Sequence, residues 1–172
     1  MPVAPEFSRL LAADGVPPGG LTVNLEATAE ERRALARRFD LVSLDRLDGE
    51  MRLERAGEDL LHVTGQVRAA LAQRCVVTLE PVPAVIDAAF ERLFSRSEPV
   101  EAQGEVEIDP EAELPEPIPS QGLDLGELLA EELALALDPY PRAADADAHL
   151  ARLGGAEDET HPFAALAALK KR

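Results

Sequence analysis

The sequence predicts an α+β fold, with a bent antiparallel sheet (a partial barrel) packed by a long helix from the second half of the chain. A short Arg-rich helix is expected after the second strand. Three patterns carry this prediction. Met51 and Leu53 alternate with Glu50, Arg52 and Glu54, and Leu61, Val63, Val67, Ala69 and Leu71 alternate with His62, Thr64, Gln66 and Arg68. That period of two marks a hairpin with one buried face. Leu125, Leu129, Leu133 and Leu137 stand four apart, with Leu128 and Leu135 widening the stripe, which is the spacing of a helix with a broad apolar face. Thr28 and Glu31 form a capping box that opens another helix.

In chain order, Phe7–Ala12 and Leu21–Ala27 read as short strands around a Gly-Val-Pro-Pro-Gly-Gly loop. The helix from Thr28 to about Phe39 has a thin apolar side of Ala34, Leu35 and Phe39. Its other side carries Arg32, Arg33, Arg37 and Arg38. This is either a solvated face with pairs such as Glu30–Arg33, or a patch that grips phosphate or carboxylate. In the hairpin, a loop of odd length keeps the faces apart. The predicted register sets Leu53 against Leu61, Met51 against Val63, Gly49 against Gly65 and Arg52 against His62. Paired glycines imply a sharp bend or a close crossing by another segment.

Cys75–Val82 reads as a strand that Pro81 ends or places at an edge. Val82–Phe94 fits two patterns. Its apolar residues suit a helix slightly better, and a strand also fits with Arg92 as the exception. Residues 97–121 hold five prolines and many Glu and no basic residue, the composition of an exposed linker, within which Val106–Asp109 has the pattern of an edge strand. The main helix is capped by Asp124 with Glu127 three residues on, has Asp124, Glu127 and Glu131 as its wet stripe, and must stop before Pro139 and Pro141. It is read as core, with a recognition helix as the alternative. Ala143–Thr160 predicts a poorly ordered stretch, and Phe163, Leu166 and Leu169 a short terminal helix. The expected organisation is therefore a sheet with one helix over 1–96, a linker over 97–121, a helix completing the same domain over 122–142, and a tail over 143–172.

The 172 residues are 46% hydrophobic but only 3% aromatic, so the core must be mostly Leu, Val and Ala. The net charge of −16 is uneven. Residues 1–96 carry 12 Arg against 15 Asp and Glu, whereas residues 97–172 carry 5 basic against 18 acidic residues. Such a balance repels bare nucleic acid at long range and favours a basic partner, or serves solubility. The N-terminal residues lack the pattern of a signal peptide and no apolar run approaches a membrane span, so a cytosolic protein without membrane contact is expected.

The sequence has no Gly-rich phosphate loop, Cys/His metal cluster or Ser nucleophile elbow. The histidines (His62, His149, His161) are scattered. Cys75 has only Arg74 beside it and reads as a buried, inert thiol. Adjacent Glu131 and Glu132 diverge on a helix and make no dyad. The expectation is a protein with no catalytic residue, metal or cofactor.

CVVTLEPV, LGELLAEELALALDPYPR and HPFAALAALKK, in this order from Cys75 to Lys171, resemble the YceD family of bacterial and plastid proteins named for accumulation of large-subunit ribosomal RNA. The matching positions are Cys75, Leu79, Glu80, Pro81, Leu125, Leu129, Glu132, Leu133, Pro139, Pro141, Pro162 and Leu166. Many relatives read C-x-x-C-L-E-P-V, and here Thr78 stands where their second cysteine would be. Some also carry a cysteine-rich insert, which Arg142–Thr160 lacks. The resemblance tips Val82–Phe94 toward strand. It implies a non-enzymatic role in large-subunit accumulation or assembly, with a ribosomal protein or pre-ribosomal particle as partner. RNA contact would then use Arg32, Arg33, Arg37, Arg38, Arg52, Arg68 and Arg74. A basic partner would meet Glu98, Glu101, Glu105, Glu107, Glu111, Glu113 and Glu116. The alternative is a general protein-interaction module with no ribosomal contact.

Overall fold

The computed structural model describes residues 5–12, 14–96 and 115–153. The elements run β1 (Leu10–Leu11), β2 (Leu21–Glu26), α1 (Ala29–Arg38), β3 (Ser43–Arg55), β4 (Leu60–Arg74), β5 (Pro81–Ser95), β6 (Glu116–Pro117), β7 (Leu123–Asp124), α2 (Leu125–Ala136) and α3 (Ala146–Leu153). The chain divides into two compact units, Met1–Gln73 with Pro83–Asp138, and Arg74–Val82 with Pro139–Arg172.

In the first unit, the sheet has the order β2-β3-β4-β5-β6, and β1 pairs separately with β7. The fold is α+β as expected, with one correction. The sheet, which does not close into a barrel, is mixed and not antiparallel throughout, because β6 runs parallel to β5 through Phe94↔Glu116 and Ser95↔Pro117. The segment Val82–Phe94 is strand throughout, its residues alternating between exposed and half-buried up to Arg92. The long helix pattern it also fits loses because only period two gives this strand an inward face against β4.

The hairpin keeps the predicted faces but shifts by two residues. Leu53 pairs with Val63, Met51 with Gly65, Gly49 with Val67, Arg52 with Thr64 and Glu54 with His62. The Ala56 N–H donates to the Leu60 carbonyl at 3.0 Å, so the turn is centred on Glu58 and not on Gly57. The two glycines are consequently not opposite each other, and each leaves room for a separate side chain. A Cβ on Gly49 would lie 2.6 Å from Leu129 Cδ1 and 2.7 Å from the Gln66 carbonyl oxygen, and one on Gly65 would lie 2.4 Å from Phe90 Cζ. One glycine seats a helix side chain and the other a ring from the neighbouring strand.

Helix α2 lays its apolar stripe on the core. Leu129 and Leu133 are fully buried, and Leu125 and Leu128 nearly so, in one cluster with Leu47, Met51, Leu53, Val63 and Val67. Leu135 does not join them. It is 73% exposed, because the stripe at positions 125, 129 and 133 already faces the sheet and Leu135 projects to the other side. Asp124 caps the helix, accepting from Gly126 N at 3.1 Å and Glu127 N at 3.3 Å. The reciprocal half of the box is missing, since Glu127 turns outward to Arg38. Asp124 also accepts from Ser8 Oγ at 2.5 Å and from Arg9 N at 2.7 Å. It ties the N-terminal segment to the start of α2, and only Leu10–Leu11 of the expected strand Phe7–Ala12 pairs.

Helix α1 has the full capping box between Thr28 and Glu31, and Leu35 is its buried residue. Glu31 also receives both Nη atoms of Arg9, at 2.8 and 3.2 Å, a link across the chain, and the expected Glu30–Arg33 pair does not form among the described residues. In the second unit α3 forms within the stretch expected to be poorly ordered. The predicted strand at Val106–Asp109 and the terminal helix around Leu166 lie outside the described residues.

Replacing Leu129 by Asp places a charge in this seam and should abolish cooperative unfolding in a urea melt followed by circular dichroism. Gly49→Ala should cost about 1–3 kcal/mol by the same measurement, because the contacted Gln66 carbonyl is backbone and cannot swing away. A melt of the Leu129→Asp variant matching the parent would show that α2 does not sit here, and one of Gly49→Ala matching it would contradict the close approach at Gly49.

Candidate interaction surface

The arginines of the first half separate once their partners are known. Arg38 is held by Glu127 through two hydrogen bonds, at 2.6 and 2.9 Å, and by Glu6 at 3.1 Å. Arg52 pairs with Glu54 at 2.7 Å, and Arg68 Nε lies 3.1 Å from Asp48 Oδ2, both on the outer sheet face. Arg74 belongs to the second unit and is exposed without an ion pair or hydrogen bond among the described residues. Arg32, Arg33 and Arg37 come together. They line a groove of about 530 Å³ between α1 and the start of β3, floored by Ala36, Leu41 and Leu44 and rimmed by Val42 and Asp45. Arg32 Nη1 donates back to the Ala27 carbonyl at 2.5 Å. Arg33 and Arg37 are exposed and carry no ion pair or hydrogen bond among the described residues.

Of the acidic positions, Glu98, Glu101, Glu105, Glu107, Glu111 and Glu113 lie outside the described residues. Glu116 begins β6 and pairs with Arg92 at 2.6 Å. Arg92 is the residue that sequence reasoning missed. It breaks the apolar inward face of β5 and joins Glu116, Glu132 at 2.8 Å and Glu131 at 3.8 Å. The signal was present: one charge on the buried side of an alternating strand demands counter-charges nearby. Partial burial pushes the Glu131 carboxyl above the usual range, Arg92 pulls it back, and the crowding by Glu127, Glu116 and Glu132 pushes it up again. Glu31 is held below its usual value, chiefly by the hydrogen bonds from Arg9. His62 remains on the outer face, 2.6 Å from Glu91.

In the second unit Cys75 is fully buried. Its Sγ accepts from the backbone N–H groups of Val77 at 3.4 Å, Thr78 at 3.3 Å and Ala143 at 3.3 Å. The Cys75 N–H donates to the Glu80 carbonyl, and Leu79, 63% exposed, takes a left-handed φ of 64° to close the turn. Pro141 is buried and its carbonyl receives the Val76 N–H at 2.9 Å. Burial pushes the thiol up, but hydrogen bonds from the Thr78 side chain and from the Thr78, Ala143 and Val77 backbone outweigh it and bring the thiol down to about 6. Thr78, in place of a second cysteine, offers a hydroxyl to the sulfur and no second soft ligand. Among the described residues no three His, Cys, Asp or Glu side chains are grouped to hold a metal ion.

The family described as "Large ribosomal RNA subunit accumulation protein YceD" matches residues 63–170. The chain belongs to the YceD family. The match runs from near the start of β4 through the Cys75 turn, β5 and α2. It takes in Leu125, Leu129, Leu133, which are buried, and Glu132, which pairs with Arg92. Pro162 and Leu166 are within the match but outside the described residues, and Pro139 is exposed beyond the end of α2. Helix α1 and its groove lie before the matched region. No curated protein and no solved structure matches the chain.

The sulfur environment has a pH consequence. The folded thiol loses its proton near 6 and the unfolded one near its ordinary value of 9.0, so the unfolded state binds more protons between them. Stability should therefore rise from about pH 6 to pH 9 and be fully present only above the unfolded value. Cys75→Ala should flatten this rise, and Thr78→Val should move the thiolate ultraviolet absorbance to higher pH. A parent thiol titrating at its ordinary value would contradict the hydrogen-bonding assignment.

Proposed function

We propose that this YceD-family chain supports accumulation of large-subunit ribosomal RNA as a non-enzymatic factor that binds a pre-ribosomal particle. Its immediate partner on that particle is a basic ribosomal protein. The observation that carries this reading is the family match over residues 63–170, whose description names large-subunit RNA accumulation. The arrangement of charge supports a binding role. The carboxylates of Glu116, Glu127 and Glu132 are engaged by arginines, which suits a structural and electrostatic surface better than proton transfer. The acidic second half gives a basic partner its complement. No helix among the described residues is long and apolar enough to cross a membrane.

Depletion of the protein should lower the ratio of large- to small-subunit ribosomal RNA, measured on total RNA. The tagged chain should co-sediment with large-subunit precursors and crosslink to a basic ribosomal protein. An unchanged ratio, together with recovery of only non-ribosomal proteins, would favour a general interaction module instead. Converting Glu98, Glu101, Glu105, Glu107, Glu111, Glu113 and Glu116 to Gln should weaken recovery of the basic protein, and more so at low salt. Unchanged recovery would place its contact elsewhere.

A further inference from the structure

We infer that the groove between α1 and the start of β3 grips the phosphate backbone of RNA through Arg33 and Arg37. The inference rests on the reading of the chain as a factor for large-subunit RNA, and adds to it a site and a ligand chemistry.

Most other arginines with described surroundings are engaged by a carboxylate or by a backbone carbonyl, as for Arg38, Arg52, Arg68, Arg92 and Arg32. In a chain of net charge −16, two neighbouring guanidinium groups without such a partner are an exception. Arg33 and Arg37 are four residues apart, so they stand on one face about 6 Å apart along the helix axis. Like charges at this spacing repel. The negative helix C-terminus offsets the repulsion for Arg37, in the last turn, and less for Arg33. An anion bound between them removes it.

The groove wall strengthens the case. Val42 is 42% exposed and lies beside half-buried Leu41, so a charge entering here meets apolar surface that sustains the attraction. No aromatic side chain lines the groove, so there is nothing on which a base would stack. Contact is therefore with phosphates, tolerant of sequence and sensitive to salt. The guanidinium fork suits phosphate oxygens and carboxylates alike. A strand of RNA presents such groups at a regular repeat, which two arginines at a fixed helical spacing engage together. Asp45, on the β3 bulge and hydrogen-bonded by Ser43 Oγ at 3.3 Å, faces the same groove and opposes anion binding.

The test uses the full chain and a fluorescein-labelled oligouridine, with anisotropy read over a range of salt concentrations. The parent should bind at low salt. R33Q/R37Q should weaken binding by roughly tenfold or more and reduce the slope of log affinity against log salt by about 1.4, the value for two lost single-strand phosphate contacts. D45N should tighten binding, an effect that a merely structural role for the arginines would not produce. R152Q, in α3, should bind as the parent does, and matched thermal melts exclude unfolding. Equal binding by the parent and R33Q/R37Q overturns the site, as does absence of parent binding at low salt. Polyglutamate that displaces the oligouridine at equal charge concentration, and depends on the same two arginines, overturns RNA in favour of an acidic protein. The ribosomal RNA ratio after depletion is independent of all these outcomes, so loss of the site and loss of the functional reading are distinguishable.

Discussion

The contact of Leu129 with Gly49 governs the placement of everything else in the first unit. The helix can approach the sheet this closely only where β3 has no Cβ, and at that point the leucine is fully buried. Burying one such side chain contributes about 1.5–3 kcal/mol, and Leu125, Leu128 and Leu133 repeat the gain along the same stripe. The ion pairs on the helix's other side are individually weak, about 0–1 kcal/mol each for partly exposed groups. Burial therefore sets the position of α2, and its position sets the pairs. Glu127 is brought to Arg38 of α1, and Glu132 to Arg92 of β5. Asp124, at the helix start, draws in the backbone of Arg9.

Local pattern determined which face of each strand turned inward, and the helix stripe identified its own core residues. Both are properties of period and need no knowledge of the neighbours. Pattern failed where the outcome depended on a distant partner. The hairpin faces were legible from alternation, but the register depended on where a short turn closed, one residue later than Ala56-Gly57 suggested. Glu127 looked like half of a capping box until Arg38, 89 residues earlier in the chain, claimed its carboxylate. The parallel partner of β5 is separated from it by residues 96–115, and no alternation within β5 announces it. Arg92 was visible as an anomaly in its strand, but its three glutamates come from two elements that only the fold assembles.

The turn at Cys75 shows the same division between local and distant information. Cysteine followed by Thr78 and Leu79 gives a tight turn whose own N–H groups point at sulfur. The third donor, Ala143, lies 68 residues away and follows buried Pro141 by two. A sulfur that accepts three N–H bonds is in surroundings that favour the thiolate, although its burial opposes the charge. The reading of Cys75 as a buried thiol thus captured its accessibility and not its ionisation. The chain has no second cysteine to pair with Cys75, and the turn holds residues 75–80 and 141–143 in one arrangement.

A chain this acidic can present a cationic groove only at short range. At physiological ionic strength fields decay over about 8 Å, so an approaching RNA first meets the net negative charge and senses Arg33 and Arg37 only on close approach. The groove by itself is thus poorly suited to capturing free RNA quickly. It becomes effective once another contact has already brought the chain beside its target, because the second contact is then intramolecular and its effective concentration high. On the proposed function, the acidic second half supplies a first contact of the opposite sign, toward a basic protein. Two surfaces of opposite charge on one small chain select a location where basic protein and RNA phosphate lie side by side, and discriminate against either component alone. Such a location is found on a ribosomal particle, and on the proposed function the uneven charge would act there.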